Sequence, residues 1–316
     1  MGSVNSLSAL FVITWLVMSA VDIAVQVFRD LEPEDFHLLQ AIEQQMRNYE
    51  YAPSDAIKKQ SELPPSEIDY RVPILIKRGL LQGKRGQYTG YSLTTAGYDT
   101  LAINALVQAN VIEAFGKPLG VGKESDVYDA LTPDKQQVAL KFHRLGRTSF
   151  KKTKLKRNYT SKYSYTPDWH QQSRIAAKKE YKTLKFLYPK GVAVPEPIKQ
   201  TRHVLVMGMI EGVELFHHTR LIDPQVVYNE ILDNIRRAYI DARIIHGDLS
   251  PFNIILQQNQ HILIIDWPQS VTTKHPNAEE LLERDLRNVL TFFKRKHELK
   301  NRLKDDLAHV TKDYKN

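Results

Sequence analysis

Apolar residues at Phe36, Leu39, Ile42, Met46 and Tyr49 recur at helical spacing and predict an amphipathic helix, and a second, shorter helix opens at Ser54. A third follows Pro65 and Ser66, with Pro73 in its middle, where the missing N–H is expected to kink it. After Gly79 the period changes. Leu80 and Leu81, the glycine-flanked basic turn Gly83-Lys84-Arg85-Gly86 and the run through Tyr91 and Leu93 predict a hairpin. Thr94 and Thr95 then open a helix onto Leu101 and Leu106.

Three helices followed by a two-stranded wing form a winged-helix pattern, assigned to residues 21–108. In such modules the third helix usually enters a nucleic-acid groove while the wing touches backbone, and docking onto a protein is the alternative use of the same surface. No internal repeat is visible. Beyond Asn110 the rhythm becomes strand and tight turn: Val111 to Phe115, Gly120-Val121-Gly122, Val127-Tyr128, then Val138-Ala139-Leu140-Lys141-Phe142.

Composition adds exclusions. With 42% apolar and 25% charged residues the chain reads as globular, and the absence of cysteine removes disulfides, thiolate metal sites and a cysteine nucleophile. The apolar run Leu7 to Val21 is shorter than the roughly 18 residues of a membrane span and has no basic residue before it. The first seventeen residues are therefore expected to lie upstream of a start at Met18, residues 1–20 to form a non-native or disordered extension, and no membrane partner is expected. The formal net charge is +8, yet Lys135, Lys141, Arg144, Arg147, Lys151, Lys152, Lys154, Lys156, Arg157 and Lys162 supply ten positive charges in a stretch free of acids. Interleaved Tyr159, Tyr163, Tyr165 and Trp169 make that stretch a candidate phosphate- or RNA-binding segment, against the plainer reading of a solvated charge run.

Three further places carry chemistry. Gly120-Val121-Gly122-Lys123-Glu124-Ser125 is a turn where glycines admit phosphate to backbone amides and Lys123 and Ser125 add a charge and a hydroxyl; alone, Gly-x-Gly is more often just a turn. Lys141 stands in an apolar strand and needs an acid. Between it and Glu196 only Asp168 and Glu180 qualify, and Glu180, in a helical stretch from Ile175 to Leu187, is the candidate. His246-Gly247-Asp248-Leu249-Ser250-Pro251-Phe252-Asn253 is the strongest signal, an Asp and an Asn five apart after buried Ile244-Ile245, as in a phosphoryl-transfer loop. Asp248 would take the proton of the attacking hydroxyl or orient a water, and Asn253 would offer a neutral oxygen to magnesium. Two short strands, Ile254 to Leu256 and Ile262 to Ile265, then deliver Asp266 as a second magnesium ligand. The histidines at 203, 217, 218, 246 and 275 form no ligand quartet and are expected to be structural, His246 by supporting the loop.

These stretches, together with Leu145 to Phe150, Ile265-Asp266-Trp267-Pro268-Gln269, His275 to Ala278 and Arg284-Asp285, resemble the second subfamily of RIO-type atypical protein kinases over nearly everything after Asp22. The resemblance implies an α+β chain: a winged helix, then a compact bilobal protein-kinase-like domain with an N-lobe at 109–211, a mobile basic loop at 147–174 and a truncated C-lobe at 212–316. It implies that Lys123 and Ser125 lie near the triphosphate, that Lys141 pairs with Glu180, that Asp248 is catalytic, and that Asn253 and Asp266 hold Mg2+, with Mn2+ as the alternative ion. Aligned on the family hinge, Met207 is the gatekeeper, and Met209 and Ile210 offer backbone to adenine. Gly208 departs from the usual glutamate and Trp267 from the usual phenylalanine, a change of volume beside the metal ligand.

The activity so implied is that of an ATP-dependent serine/threonine kinase or ATPase, a cytoplasmic monomer serving small ribosomal subunit maturation. It would bind precursor rRNA and ribosomal proteins through the basic loop and winged helix, and phosphorylate itself on Asp266. Only fifty residues follow Asp266 and no Ala-Pro-Glu occurs among them, which predicts no conventional activation segment. The competing readings are a small-molecule kinase of the aminoglycoside or choline type, which shares His-Gly-Asp, and a non-enzymatic RNA-binding assembly factor whose nucleotide only stabilises the fold.

Overall fold

The computed structural model describes residues 18–145, 169–218 and 220–312. The chain divides into two compact units between Asn104 and Ala105, inside a helix and six residues before Asn110, where the patterning changes.

The first unit begins at α1 (Ala20–Phe28), absent from the sequence reading. Ser19 caps it, accepting from the Asp22 amide while the Asp22 carboxylate accepts from the Ser19 amide, both at 3.0 Å. Ser19 and Ala20, set aside with the extension, therefore belong to the fold. Helices α2 (Pro33–Gln45), α3 (Ser54–Ser61) and α4 (Pro65–Lys77) follow; α2 ends before Met46 and Tyr49, the last two positions of its predicted apolar period. The hairpin β2 (Leu81–Lys84) and β3 (Gly90–Leu93) forms the wing, and α5 (Thr95–Gln108) starts after Thr94, whose hydroxyl accepts from the Gly97 amide. A two-residue strand β1 (Ala52–Pro53) pairs with β3, so the sheet has three strands where the sequence suggests two.

Pro73 does not break α4, which runs through to Lys77. An interior proline costs roughly 3 kcal/mol, but Ile68, Val72 and Leu75 on the same helix are buried, at about 1.5–3 kcal/mol each. Arg71 adds a clamp, donating to Glu67 in α4 and to Asp35 and Glu32 at the start of α2, all within 3.0 Å. Packing outweighs the local defect.

The second unit opens with a five-stranded antiparallel sheet of order β4-β5-β6-β8-β7: β4 (Ala114–Val121), β5 (Ser125–Leu131), β6 (Gln137–His143), β7 (Pro197–Thr201) and β8 (Val204–Gly208). Lys141 lies opposite Val127 on one side and Leu205 on the other, at the centre of the sheet. Helix α6 (Trp169–Leu187) packs on β7 and β8. The helical remainder consists of α7 (Pro224–Ile240), α8 (Ala278–His297) and α9 (Leu303–Thr311) with two small antiparallel sheets. One joins β12 (Ile262–Ile264), β11 (Ile254–Leu256) and β9 (Val213–Glu214); the other pairs β10 (Ile244–Ile245) with β13 (Val271–Thr272). One apolar core runs from Ala139 and Met207 in the sheet to Tyr228, Trp267 and Phe293 below it. Tyr228 donates to Asp306 at 2.6 Å and ties α9 to α7.

The basic stretch is not one surface. Lys135 pairs with Glu113 at 2.7 Å, Lys141 is buried, and Arg144, 1% exposed along its side chain, donates to the wholly buried Asp126 at 2.8 Å. The other seven cations, Arg147 to Lys162, lie outside the described residues, and Trp169 to Arg174, read as the end of a loop, are the first residues of α6. Asp126→Ala would remove the carboxylate to which Arg144 Nε donates, and we expect a loss of about 3–5 kcal/mol in denaturant unfolding. Among the described residues no helix is long and apolar enough to cross a membrane.

Candidate active site

Alternation along β6 sends Lys141 and His143 to one face, and in this structure that face meets α6. The Lys141 ammonium lies 2.8 and 2.9 Å from the two carboxylate oxygens of Glu180, the expected pair. It also donates to Asp266 Oδ1 at 2.7 Å, a contact that the sequence does not suggest. Burial alone would lower the ammonium's pKa, but Asp266 and then Glu180 reverse that and raise it. Burial would likewise lift the Glu180 carboxyl, yet Lys141, followed by His143, brings it down to about 2. The charged pair is therefore the stable state. His143 Nε2 sits 2.7 Å from Glu180 Oε2, and the Trp267 amide donates to Glu180 Oε1 at 3.2 Å.

The phosphoryl-transfer loop follows β10. Gly247 has φ of +78°, and a Cβ there would stand 3.0 Å from the Gln269 carbonyl, so the turn requires glycine. Asp285 of α8 fixes the backbone on either side of Asp248, accepting from Gly247 N at 2.7 Å and Leu249 N at 2.9 Å. Arg284 donates to the Gly247 carbonyl, and Asn288 donates to that of Leu249 at 3.0 Å. Burial pushes the Asp285 carboxyl up, against the pull of His246, the two amides and Arg284. His246 bonds the Ile265 carbonyl through Nε2 at 3.0 Å and accepts the Asp248 amide at 3.3 Å, the supporting part expected of it.

Asn253 donates through Nδ2 to the Asp248 carbonyl at 2.9 Å, leaving its amide oxygen as an acceptor. Its own carbonyl accepts from Ile265 N at 2.9 Å, so the hairpin of β11 and β12 delivers Asp266 beside it. Asp266, at φ +69°, holds a left-handed conformation uncommon for a side chain-bearing residue, and its carboxylate is 39% exposed. Trp267 takes up its extra volume in the core, 1% exposed, against the His246 ring, with its indole N–H on the Ile264 carbonyl at 2.9 Å.

At the hinge, Met207 is 5% exposed in the core, while Met209 and Ile210 are half-buried just beyond β8. Gly208 donates to the Glu196 carbonyl at 2.8 Å, and a Cβ there would press within 3.3 Å of the Glu196 Cβ, so the residue just before β7 closes on the place of the missing side chain. In the glycine turn, Gly122 N bonds the Ser125 carbonyl at 2.8 Å; Ser125 is half-buried and Lys123 exposed. Among the described residues no hydrogen bond or ion pair ties either to the Lys141 cluster.

Sequence reasoning overlooked His143, and saw Asp285 only as part of a resembling motif. Both left a signal: a second hydrogen-bonding side chain two residues from Lys141 on an apolar strand, and an acid at a core position of α8 among Leu282, Leu286 and Val289.

Magnesium fits the donor set. Asn253 and Asp266 offer hard oxygens, and among the described residues no group of three His, Cys, Asp or Glu side chains gathers as a self-sufficient metal site. Two protein oxygens completed by phosphates and water suit this ion.

A lysine at the centre of a five-stranded sheet paired with a glutamate of the adjoining helix, together with an Asp–Asn loop and a further aspartate beyond a hairpin, defines a phosphotransferase of protein-kinase type. The model for the RIO domain matches residues 126–305, and that for the Rio2 N-terminal domain matches 28–109. The RIO-type serine/threonine-protein kinase Rio2 of Methanocaldococcus jannaschii is 40% identical over 255 residues, 79% of this chain and 92% of its own. The serine/threonine-protein kinase rio2 of Schizosaccharomyces pombe is 35% identical over 296 residues, covering 93% and 86%. A crystal structure of the Rio2 kinase–ADP/Mg2+–phosphoaspartate complex from Chaetomium thermophilum superposes with a TM-score of 0.78 at 34% identity, over 92% of this chain and 89% of that one. The chain belongs to the Rio2 group of the RIO serine/threonine kinases.

Proposed function

We propose that this kinase transfers the γ-phosphoryl group of ATP in a magnesium-dependent reaction, that Asp266 is its own first acceptor, and that the cycle serves maturation of the small ribosomal subunit. The observation that carries the reading is Lys141 bridging Glu180 and Asp266, one cation set between a buried anchor and an accessible carboxylate. Lys141, held by Glu180, binds the nucleotide phosphates; Lys123 and Ser125 add a charge and a hydroxyl from the glycine turn; Met207, Met209 and Ile210 line the adenine end. Bound magnesium would be held by Asn253 and Asp266 and would neutralise developing charge on the phosphates. Asp248 orients a hydroxyl acceptor, or the water that later hydrolyses the phosphoryl group, and takes its proton; the Asp266 carboxylate itself brings none.

In self-phosphorylation a carboxylate oxygen of Asp266 forms a bond to the γ-phosphorus as the bond to the β–γ bridging oxygen breaks, leaving ADP and an acyl phosphate. The phosphoaspartate described for the Chaetomium thermophilum relative supports this acceptor. The seven cations from Arg147 to Lys162 support an RNA-rich partner.

With γ-labelled ATP and Mg2+, label is expected on the chain, released by neutral hydroxylamine, absent in Asp266→Asn and absent after chelation. Hydroxylamine-resistant label, or label on Asp266→Asn, would refute Asp266 as acceptor. Co-sedimentation with small-subunit precursors that changes between ATP and ADP checks the assembly role; migration free of those particles in both states refutes it.

A further inference from the structure

We propose that His143 is a positioning residue for the phosphate-binding lysine, acting through Glu180. A carboxylate has about four lone-pair sites, and those of Glu180 are all taken. Oε1 receives Lys141 at 2.8 Å and the Trp267 amide at 3.2 Å; Oε2 receives Lys141 at 2.9 Å and His143 at 2.7 Å. His143 is thus the one side chain besides Lys141 with a bond to this carboxylate among the described residues.

The inference rests on the reading that Lys141 holds nucleotide phosphates. In the structure that ammonium divides its bonds between Glu180 and Asp266. Once the Asp266 carboxylate serves a metal or a phosphoryl group, Glu180 alone keeps Lys141 in place. Glu180 is 1% exposed, so no solvent replaces a lost donor, and a carboxylate with an empty site would turn about its side-chain torsions and take the ammonium with it.

His143 is itself braced. Its backbone amide donates to the His203 carbonyl at 2.9 Å and its Nδ1 lies 3.3 Å from the same oxygen. The His203 ring stands against the Arg144 guanidinium, Nε2 to NH1 at 3.2 Å. The turn between β7 and β8 therefore orients the imidazole, the imidazole orients Glu180, and Glu180 orients Lys141. Core packing alone would not demand a ring nitrogen 2.7 Å from a carboxylate oxygen.

The test uses two replacements of similar volume in the full chain, His143→Leu, which cannot donate, and His143→Gln, whose terminal amide reaches the place of Nε2. For His143→Leu the Kd of a non-hydrolysable ATP analogue and the KM for ATP should rise about tenfold, as for loss of a hydrogen bond to a charged group, with kcat within about threefold of the parent. His143→Gln should bring both constants back most of the way, with the two variants melting at the same temperature. Parental nucleotide affinity in His143→Leu, or equal impairment of the two variants, would overturn the proposal. Lys141→Ala is the control: if it too binds the analogue as the parent does, the phosphate-binding reading of Lys141 fails instead.

Discussion

Asp248→Ala is expected to cut ATP turnover by about 10²–10⁴-fold, the range that a positioned proton acceptor contributes, while nucleotide affinity stays within about threefold. The physical reason is a division of labour visible in the bonding. Asp248 sits on a loop whose backbone is fixed by Asp285, Asn253 and His246, whereas Lys141 and Glu180 are fixed by β6 and α6. Removing the Asp248 carboxylate leaves the second set intact. Single-turnover measurement at saturating ATP is the check, with equilibrium titration of nucleotide beside it; undiminished turnover would refute the role.

Asp285→Ala is expected to be costly in both stability and rate. It leaves the Gly247 and Leu249 amides buried without their acceptor, at about 1–3 kcal/mol each, so a loss of roughly 2–6 kcal/mol in chemical unfolding is expected from the same principle. Because those amides flank Asp248, kcat should fall more than nucleotide affinity in whatever fraction stays folded. Asp285→Asn keeps the shape but turns an amide toward one of the two N–H groups, so it should recover only part of the loss. Parental stability in both variants would show that the loop is held from elsewhere.

Much of this site was legible from residue types and spacing. An Asp and an Asn five apart after an apolar pair, then two short strands ending in an acid, announce a phosphoryl-transfer loop because each spacing reflects a local constraint, a tight turn or a hairpin. The Lys141–Glu180 pair was reachable by elimination, since only two acids occur between Lys141 and Glu196. The Lys141–Asp266 contact was not: 125 residues separate the partners, and no local rule links a strand centre to a hairpin end. Three of the ten cations counted along the basic stretch serve the fold instead, because charge is counted along the chain but acts in space. Lys141 and Arg144 point into the fold toward Glu180 and Asp126, and Lys135 is spent on Glu113. Pro73 leaves the helix continuous because the burial of Ile68, Val72 and Leu75 offsets its local cost.

Helices α2 to α5, the wing, the winged module ahead of the sheet and the candidate loop at Asp248 were written in the order of residues, since periodicity, turn chemistry and short motifs are local, whereas α1 and β1 were not read. Which carboxylate Lys141 shares, what braces Glu180 and what holds the loop around Asp248 were decided by tertiary structure alone. Lys141–Asp266, His143–Glu180 and the bonds from Asp285 to the loop amides each join elements 36 or more residues apart in sequence, beyond the reach of any local rule.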